Sequence, residues 1–211
     1  MKRLQTIAQK LKPYQKIADI GCDHGYLIIE AFKISNDFKF IAIDNKIGPL
    51  NTCRENISKL SYSDKVRFSL SSGIKDIDDD TEVLVLAGMG GMLVCDILKD
   101  DIKNTQRIIT CANRNNYNVR KYITSLGFKI TSEDLVNENN KYYQIIVFDK
   151  SKEICTLTEK ELIFGPIFIK ERKDIYISYL KNELETLLKI ESVHKSDEIE
   201  TKIEMIRSII K

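Results

Sequence analysis

The sequence lacks several features that would place it in a familiar class of protein. No stretch approaches the roughly 20 apolar residues that a membrane-spanning helix requires, and residues 1–4 lead into a mixed polar segment rather than the apolar centre of a signal peptide. The five cysteines lie far apart, are odd in number and include no C-x-x-C pair, so neither a disulfide framework nor a zinc site is indicated. We therefore expect a cytoplasmic protein with reduced thiols, without a metal site and without a membrane partner.

A strong charge of one sign is also absent. The net charge is only +2, which neither requires nor forbids a nucleic-acid partner. Residues 2–16 contain no acidic side chain but do contain basic ones, namely Lys2, Arg3, Lys10, Lys12 and Lys16. Such a patch attracts phosphate groups. A solvated face of a lysine-rich chain explains the same pattern equally well, so both interpretations stay open.

Strand-like and helix-like patterns alternate between residues 16 and 126. Continuous apolar runs bounded by turns predict strands covered on both faces, as in a parallel sheet. A hairpin of two strands, with a turn over 137–140, closes the series. This order resembles the Rossmann-like class I S-adenosylmethionine (SAM)-dependent methyltransferases, so we expect an α/β domain over residues 1–150 with a seven-stranded, mostly parallel sheet. The strands before the hairpin are predicted at 16–20, 39–44, 66–70, 83–87 and 107–111, and the helices at 2–11, 25–34, 48–60, 91–99 and 117–126.

Beyond residue 150 long helical periodicity replaces the alternation. Two apolar stripes step by three and four residues, at Ile177, Leu180, Leu184 and Leu187 and at Ile199, Ile203, Ile206 and Ile210. Two helices packed antiparallel in the manner of a coiled coil would bury both stripes. We therefore predict that residues 151–211 form a C-terminal helical hairpin whose first helix spans 168–191. We expect a monomer, with a dimer through these helices as the alternative.

The segment over residues 17–27 ends an apolar strand in two glycines, Gly21 and Gly25. Glycine permits a tight turn after a strand, and the start of the next helix offers N–H groups to an anion such as the carboxylate of a methionine moiety. A dinucleotide-binding turn would read G-x-G-x-x-G, but here Asp23 places a carboxylate where a pyrophosphate needs bare backbone. Asp44, at the end of the second strand, is placed to accept hydrogen bonds from both ribose hydroxyls. The pattern favours SAM over a nicotinamide dinucleotide.

The fourth strand is followed by Gly88-Met89-Gly90-Gly91, at the edge where the reaction should occur. Methylases of exocyclic amines commonly carry an Asn/Asp-Pro-Pro-aromatic run here to hold the amino group, and this segment contains none. A ring nitrogen such as N1 of adenine already has an in-plane lone pair, so it needs positioning and relief of positive charge more than activation. The same glycines are also compatible with a helix start that has no role in substrate binding.

Taken together, the motifs resemble those of the bacterial tRNA (adenine(22)-N1)-methyltransferases, the TrmK family. They are the Gly-x-Asp-His turn within residues 18–27, the segment Ala87–Gly91, an asparagine after the fifth strand, the Glu133/Tyr143 hairpin and residues 164–166. The resemblance implies transfer of a methyl group from SAM to N1 of the adenine at position 22 of tRNA. It implies cofactor binding by Asp19, Gly21, Gly25 and Asp44, and we expect the neighbouring residues of the same turns to line the cofactor site, namely Cys22, His24, Asn45, Ser72, Gly73, Ala87 and Gly88. It also implies that Gly88 to Gly91 and Asn113 shape the pocket for the target adenine, and we expect Arg114 to bind substrate beside them. Lys2, Arg3 and Lys10 are expected to bind substrate because they belong to the basic patch.

Two positions depart from the family pattern. Where similar proteins usually have Gly-Asp-Gly, this chain has Ser71-Ser72-Gly73. The carboxylate expected near the adenine amino group of the cofactor is therefore missing, and Ser72 or the backbone must make that contact. Where similar proteins tend to have Gln-Pro-Asn, this chain has Cys111-Ala112-Asn113, which leaves Asn113 as the stronger candidate for the adenine pocket.

Asp23 is the candidate catalytic residue. Methylation at N1 makes adenine cationic, and a nearby carboxylate can stabilise that charge or accept the N6 proton. A loop-capping or ribose-side role for Asp23 is an equal alternative. His24 is expected to orient the loop or to line the cofactor site rather than to act as a base.

Two other classes of function stay open as alternatives. Thr110-Cys111 is placed like the pair with which RNA cytosine-C5 methylases attack the base, but the second cysteine of those enzymes has no counterpart in the segment 88–91. A non-catalytic SAM- or RNA-binding module on a methyltransferase scaffold is also compatible with the fold. The intact glycines and acids favour the enzyme.

Overall fold

The computed structural model describes residues 1–153 and 155–211, which form two compact units, Met1–Thr156 and Leu157–Lys211. The helices of the first unit are α1 (Lys2–Gln9), α2 (Tyr26–Phe32), α3 (Ile47–Ser58), α4 (Gly91–Ile97) and α5 (Asn116–Ser125). Its strands are β1 (Lys16–Ile20), β2 (Lys39–Asp44), β3 (Val66–Leu70), β4 (Val83–Ala87), β5 (Arg107–Cys111), β6 (Phe128–Glu138) and β7 (Lys141–Lys150). These elements follow the order predicted from the sequence.

The seven strands form one sheet in the order β3-β2-β1-β4-β5-β7-β6. Strands β1 to β5 are parallel, whereas β7 runs antiparallel to both β5 and β6. The mostly parallel, Rossmann-like prediction is therefore confirmed. The strand order reverses between β1 and β4, and ligands of open α/β sheets bind at the carboxyl ends of the strands at such a point. The residues after β1 and β4 consequently mark the place to look for a site.

Alternate residues of the parallel strands face opposite layers of helices. Ile17 and Val85 belong to a buried cluster that includes residues of α1, α2 and α3. Ala18 and Leu84 belong to a second buried cluster, which includes residues of α4 and α5. Because both faces of the central strands are covered, these strands appear in the sequence as continuous apolar runs rather than as alternating ones.

The second unit contains α6 (Glu159–Phe164), α7 (Pro166–Glu171), α8 (Asp174–Val193) and α9 (Asp197–Ile210). The prediction of one helix over 168–191 is wrong at its start, because Arg172 adopts a left-handed conformation (φ 50°) that ends α7. Helices α8 and α9 contact each other, and Lys202 Nζ lies 2.7 Å from Glu183 Oε1. A role of these helices as a coiled-coil-like arm or a dimer surface stays a prediction. No helix among the described residues is both long and apolar enough to cross a membrane.

Candidate functional site

The turn after β1 requires its two glycines. Gly21 and Gly25 both have φ of 74°, in the left-handed region that glycine adopts without strain. The N–H groups of Gly21 and Cys22 donate to the carbonyl oxygen of Ile43 on the neighbouring strand, at 2.8 and 3.0 Å. A Cβ atom on Gly25 would lie 2.6 Å from Cys53 Sγ in α3. The turn is therefore held against β2 and α3, with its backbone exposed at the edge of the sheet.

Three carboxylates gather around this turn. Asp44 Oδ2 accepts a hydrogen bond from the N–H of Asp23 (3.2 Å), and Asp44 Oδ1 accepts one from the N–H of Lys46 (2.9 Å). Asp19 is 3% exposed, and its Oδ2 has no hydrogen-bond partner among the residues that the structure describes. Burial, reinforced by the charges of Asp44 and Asp23, raises the pKa of Asp19 to about 7. The site thus holds a buried acceptor and a surplus of negative charge, which suits a cationic ligand.

Two cavities open along this edge and share Gly21, Asp44 and Asn45. The first has a volume of about 460 Å³ and the second a volume of about 350 Å³. The first cavity brings together ten of the predicted residues: Arg3, Asp19, Gly21, Cys22, Asp23, His24, Asp44, Asn45, Ala87 and Gly88. The second cavity adds Ser72, Gly73 and Met89. Together they form a groove that crosses the carboxyl ends of β1, β2, β3 and β4.

Asp23 lies at the mouth of the first cavity. Its φ of 48° is unusual for a residue other than glycine, and such conformations often occur at functional sites. Its side chain is 66% exposed, and Oδ1 lies 3.5 Å from His24 Nε2. The ring of His24 in turn lies 5.7 Å from the ring of Tyr26. The Asp23 carboxylate can therefore reach a ligand that enters the cavity, while His24 lies beside it.

The loops after β4 and β5 are joined by three hydrogen bonds. Asn113 Nδ2 donates to the carbonyl oxygen of Gly88 (2.8 Å), and the backbone N–H of Asn113 donates to the carbonyl oxygen of Met89 (2.9 Å). The N–H of Gly91 donates to the carbonyl oxygen of Arg114 (3.0 Å). A Cβ atom on Gly91 would lie 2.7 Å from the Arg114 carbonyl oxygen, so glycine permits this close approach. Because a carbonyl can only accept, the amide of Asn113 is oriented with its Oδ1 away from Gly88. Asn113 Oδ1 is thus an exposed acceptor next to Gly88.

The predicted basic residues lie in different surroundings. Arg3 lines the first cavity, and its guanidinium lies 4.6 Å from the ring centre of Tyr143. Lys10 instead points to β6, where Nζ lies 2.7 Å from Asp134 Oδ2 and 2.9 Å from Ser132 Oγ. Lys2 and Arg114 are exposed. Of the four, Arg3 is the one that the fold brings to the cavity, and the contacts of all four with substrate stay predictions.

Cys111, the alternative nucleophile, is fully buried. Burial raises the pKa of its thiol to about 11, and the reactive species in such chemistry is the thiolate. This environment disfavours attack on a cytosine.

Sequence reasoning missed Asp96 and Asp100, which line the second cavity. Asp96 lies on α4 and Asp100 lies three residues beyond its end, and neither belongs to a recognisable motif. Their positions in the sequence do not predict a place in the groove, because only the packing of α4 against the loop at 71–73 brings them there.

Comparison with known proteins adds a consistent set of relatives. Residues 17–211 match the family model described as tRNA (adenine(22)-N(1))-methyltransferase. A protein of that name from Bacillus subtilis is 26% identical over 195 residues, which cover 87% of this chain and 81% of the relative.

Solved structures agree over the full length. The structure of M. capricolum TrmK in complex with the natural cofactor product S-adenosyl-homocysteine (SAH) is 30% identical in sequence, with a TM-score of 0.87. An uncharacterised protein from Listeria monocytogenes is 28% identical, with a TM-score of 0.93. Each alignment covers 100% of this chain and 99% of the other.

Proposed function

Because this chain belongs to the TrmK family of tRNA (adenine(22)-N(1))-methyltransferases, we propose that it transfers the methyl group of SAM to N1 of adenine 22 in tRNA. The observation that supports this most is the unpartnered oxygen of buried Asp19 in a groove between the glycine turn and the loop at Gly88. A groove with that charge suits a ligand that carries an ammonium and a sulfonium group.

The residues of the groove suit the parts of SAM in order. Asp19 would accept a hydrogen bond from the ammonium group of the methionine moiety, and the backbone at Gly21 and Gly25 would line its path. Asp44, where the two cavities meet, would bind the ribose hydroxyls. Each of its oxygens accepts one backbone N–H and can accept a further hydrogen bond. When bound, SAM would supply an electrophilic methyl group.

On the substrate side, the enzyme has to position N1 of adenine, which already has an in-plane lone pair and needs no activation. The N1 lone pair of adenine attacks the methyl carbon, and the electrons of the breaking carbon–sulfur bond stay on sulfur. Asp23 would stabilise the resulting cationic adenine or accept its N6 proton. Asn113 Oδ1 is an acceptor that would orient the N6 amino group. Lys2, Arg3 and Arg114 would contact the tRNA backbone through their charges.

Asp23→Asn is expected to reduce the turnover number about 10²-fold while the dissociation constant for SAM stays within a factor of about two. Asparagine tolerates the left-handed conformation, so the loop is preserved and only the charge is lost. Single-turnover methylation of unmodified tRNA and titration calorimetry with SAM measure the two quantities. Near-normal turnover with unchanged SAM affinity would contradict a catalytic role for Asp23 and leave a structural one.

The same pair of measurements separates the enzyme from the alternatives. Tight SAM binding without methyl transfer to any tRNA would favour the non-catalytic module. We further propose that the protein acts as a cytoplasmic monomer, with tRNA as its macromolecular partner.

A further inference from the structure

The second cavity contains a feature that the glycine turn does not explain. It extends from Asp44 and Asn45, on the far side from Asp19, and ends between the loop at 71–73 and α4. If Asp19 binds the ammonium group and Asp44 the ribose, the part of SAM that continues into this second cavity is the adenine ring. Met89, Leu93 and Ile97 contribute apolar surface to it, as a flat aromatic ring requires.

The loop side of this cavity is lined by Ser71, Ser72, Gly73 and Lys75, which carry no carboxylate, and Ser72 offers a hydroxyl group there. The opposite wall compensates, because a Cβ atom placed on Gly73 would lie 3.6 Å from Asp100 Oδ2 and 3.7 Å from Ile97. The carboxylate of Asp100 therefore reaches across to the 71–73 loop from a position three residues beyond the end of α4.

Asp100 is also chemically available. Within residues 1–153 and 155–211, its carboxylate takes part in no hydrogen bond or ion pair. Asp96, the other acid of this cavity, is paired with Lys99 at 2.7 Å and is 57% exposed. Asp96 therefore already has a cationic partner, whereas both oxygens of Asp100 are available to a ligand.

We propose that Asp100 accepts a hydrogen bond from the exocyclic amino group of the cofactor's adenine, across the cavity from the Ser72 hydroxyl. The inference rests on the proposed function insofar as the ligand of the groove is SAM or its product. Recognition of the adenine amino group is thereby assigned to Asp100, which follows α4, and not to a residue of the loop after β3. Asp100 is a specificity-determining residue and takes no part in the methyl transfer.

Calorimetric titration with SAH and with S-inosylhomocysteine tests the assignment without any tRNA. The second compound differs in having a carbonyl in place of the adenine amino group, and a carbonyl cannot donate to a carboxylate. The wild-type protein is expected to bind SAH at least about tenfold more tightly than the inosyl compound. In Asp100→Asn, whose amide can donate to the carbonyl, this preference should fall about tenfold or invert.

Asp96→Asn is the matched control, since it removes a carboxylate charge from the same cavity at a side chain that is 57% exposed and paired with Lys99. Its preference for SAH should equal that of the wild type. An unchanged preference in Asp100→Asn, with tight binding of SAH, would overturn the role of Asp100 and leave the proposed function intact. A wild-type protein that binds neither compound would overturn the proposed function and this assignment together.

Discussion

Asp19→Asn is expected to stabilise the protein in the absence of cofactor and to abolish its binding of SAM. Burial, with the charges of Asp44 and Asp23, raises the pKa of Asp19 from 3.8 to about 7. In the unfolded chain the carboxyl loses its proton at the lower value, whereas the folded protein retains the proton until the pH approaches 7. Folding stability therefore falls as the pH rises through this window.

The size of the effect follows from the shift. One unit of pKa corresponds to about 1.4 kcal/mol, so the rise of the pKa by about three units makes the ionised Asp19 cost on the order of 4 kcal/mol at pH 8. A neutral amide avoids this cost at every pH. In the wild type, a bound ammonium group would offset the cost of burying the ionised Asp19 carboxylate. Asp19 therefore destabilises the protein without ligand but favours the binding of a cation.

Urea unfolding of both proteins without cofactor, at pH 5 and pH 8, measures the difference. The free energy of unfolding of Asp19→Asn should exceed that of the wild type by more at pH 8 than at pH 5. Addition of SAM should raise the melting temperature of the wild type only. Asp64→Asn, an exposed acid before β3, serves as the control and should show no such pH dependence. A variant that still binds SAM with wild-type affinity would refute the role of Asp19.

Arg120→Met is expected to lower the free energy of unfolding by about 3–5 kcal/mol. The side chains of Arg120 and Glu133 are both completely buried, and Arg120 Nη2 lies 2.8 Å from Glu133 Oε1. Arg120 Nη2 also donates to Gln144 Oε1 at 2.8 Å, so the guanidinium joins α5 to both strands of the β6–β7 hairpin. Removal of the arginine takes this cation away from the buried Glu133 carboxylate.

The double variant Arg120→Met/Glu133→Leu should recover much of that loss, because replacing both charges with apolar groups removes the uncompensated one. The pair Lys33–Glu30, at 2.6 Å, provides the comparison because its lysine is 61% exposed. Lys33→Met should change stability by less than about 1 kcal/mol. Chemical denaturation of the four proteins gives all the values. A loss below 1 kcal/mol in Arg120→Met would show that the buried pair contributes little.

The strands and the glycine turn were predictable because their physical requirements act on neighbouring residues. A strand buried on both faces needs a continuous apolar run, and a left-handed turn needs glycine at Gly21 and Gly25. Asp44 was predictable for the same reason, since a strand end has a defined position on the sheet. In each case the residue type required by the folded environment can be recognised from the neighbouring residues in the sequence.

Features that depend on distant packing were not visible in the sequence. The sequence places Arg120 in the helix predicted at 117–126, but it does not indicate that the fold buries this side chain against Glu133. Asp100 resembled an ordinary acid after a helix, and only the approach of α4 to Gly73 brings it to the groove. The interruption at Arg172 also escaped prediction, because arginine has no particular preference for the left-handed conformation that it adopts there.

The most direct test of the proposed function is to incubate the protein with SAM and unmodified tRNA and to map where reverse transcriptase stops. Methylation at N1 blocks base pairing, so the proposed reaction predicts a SAM-dependent stop at adenine 22 that disappears when this position is replaced by uridine. A stop at another position, or methyl transfer that persists after the replacement, would contradict it.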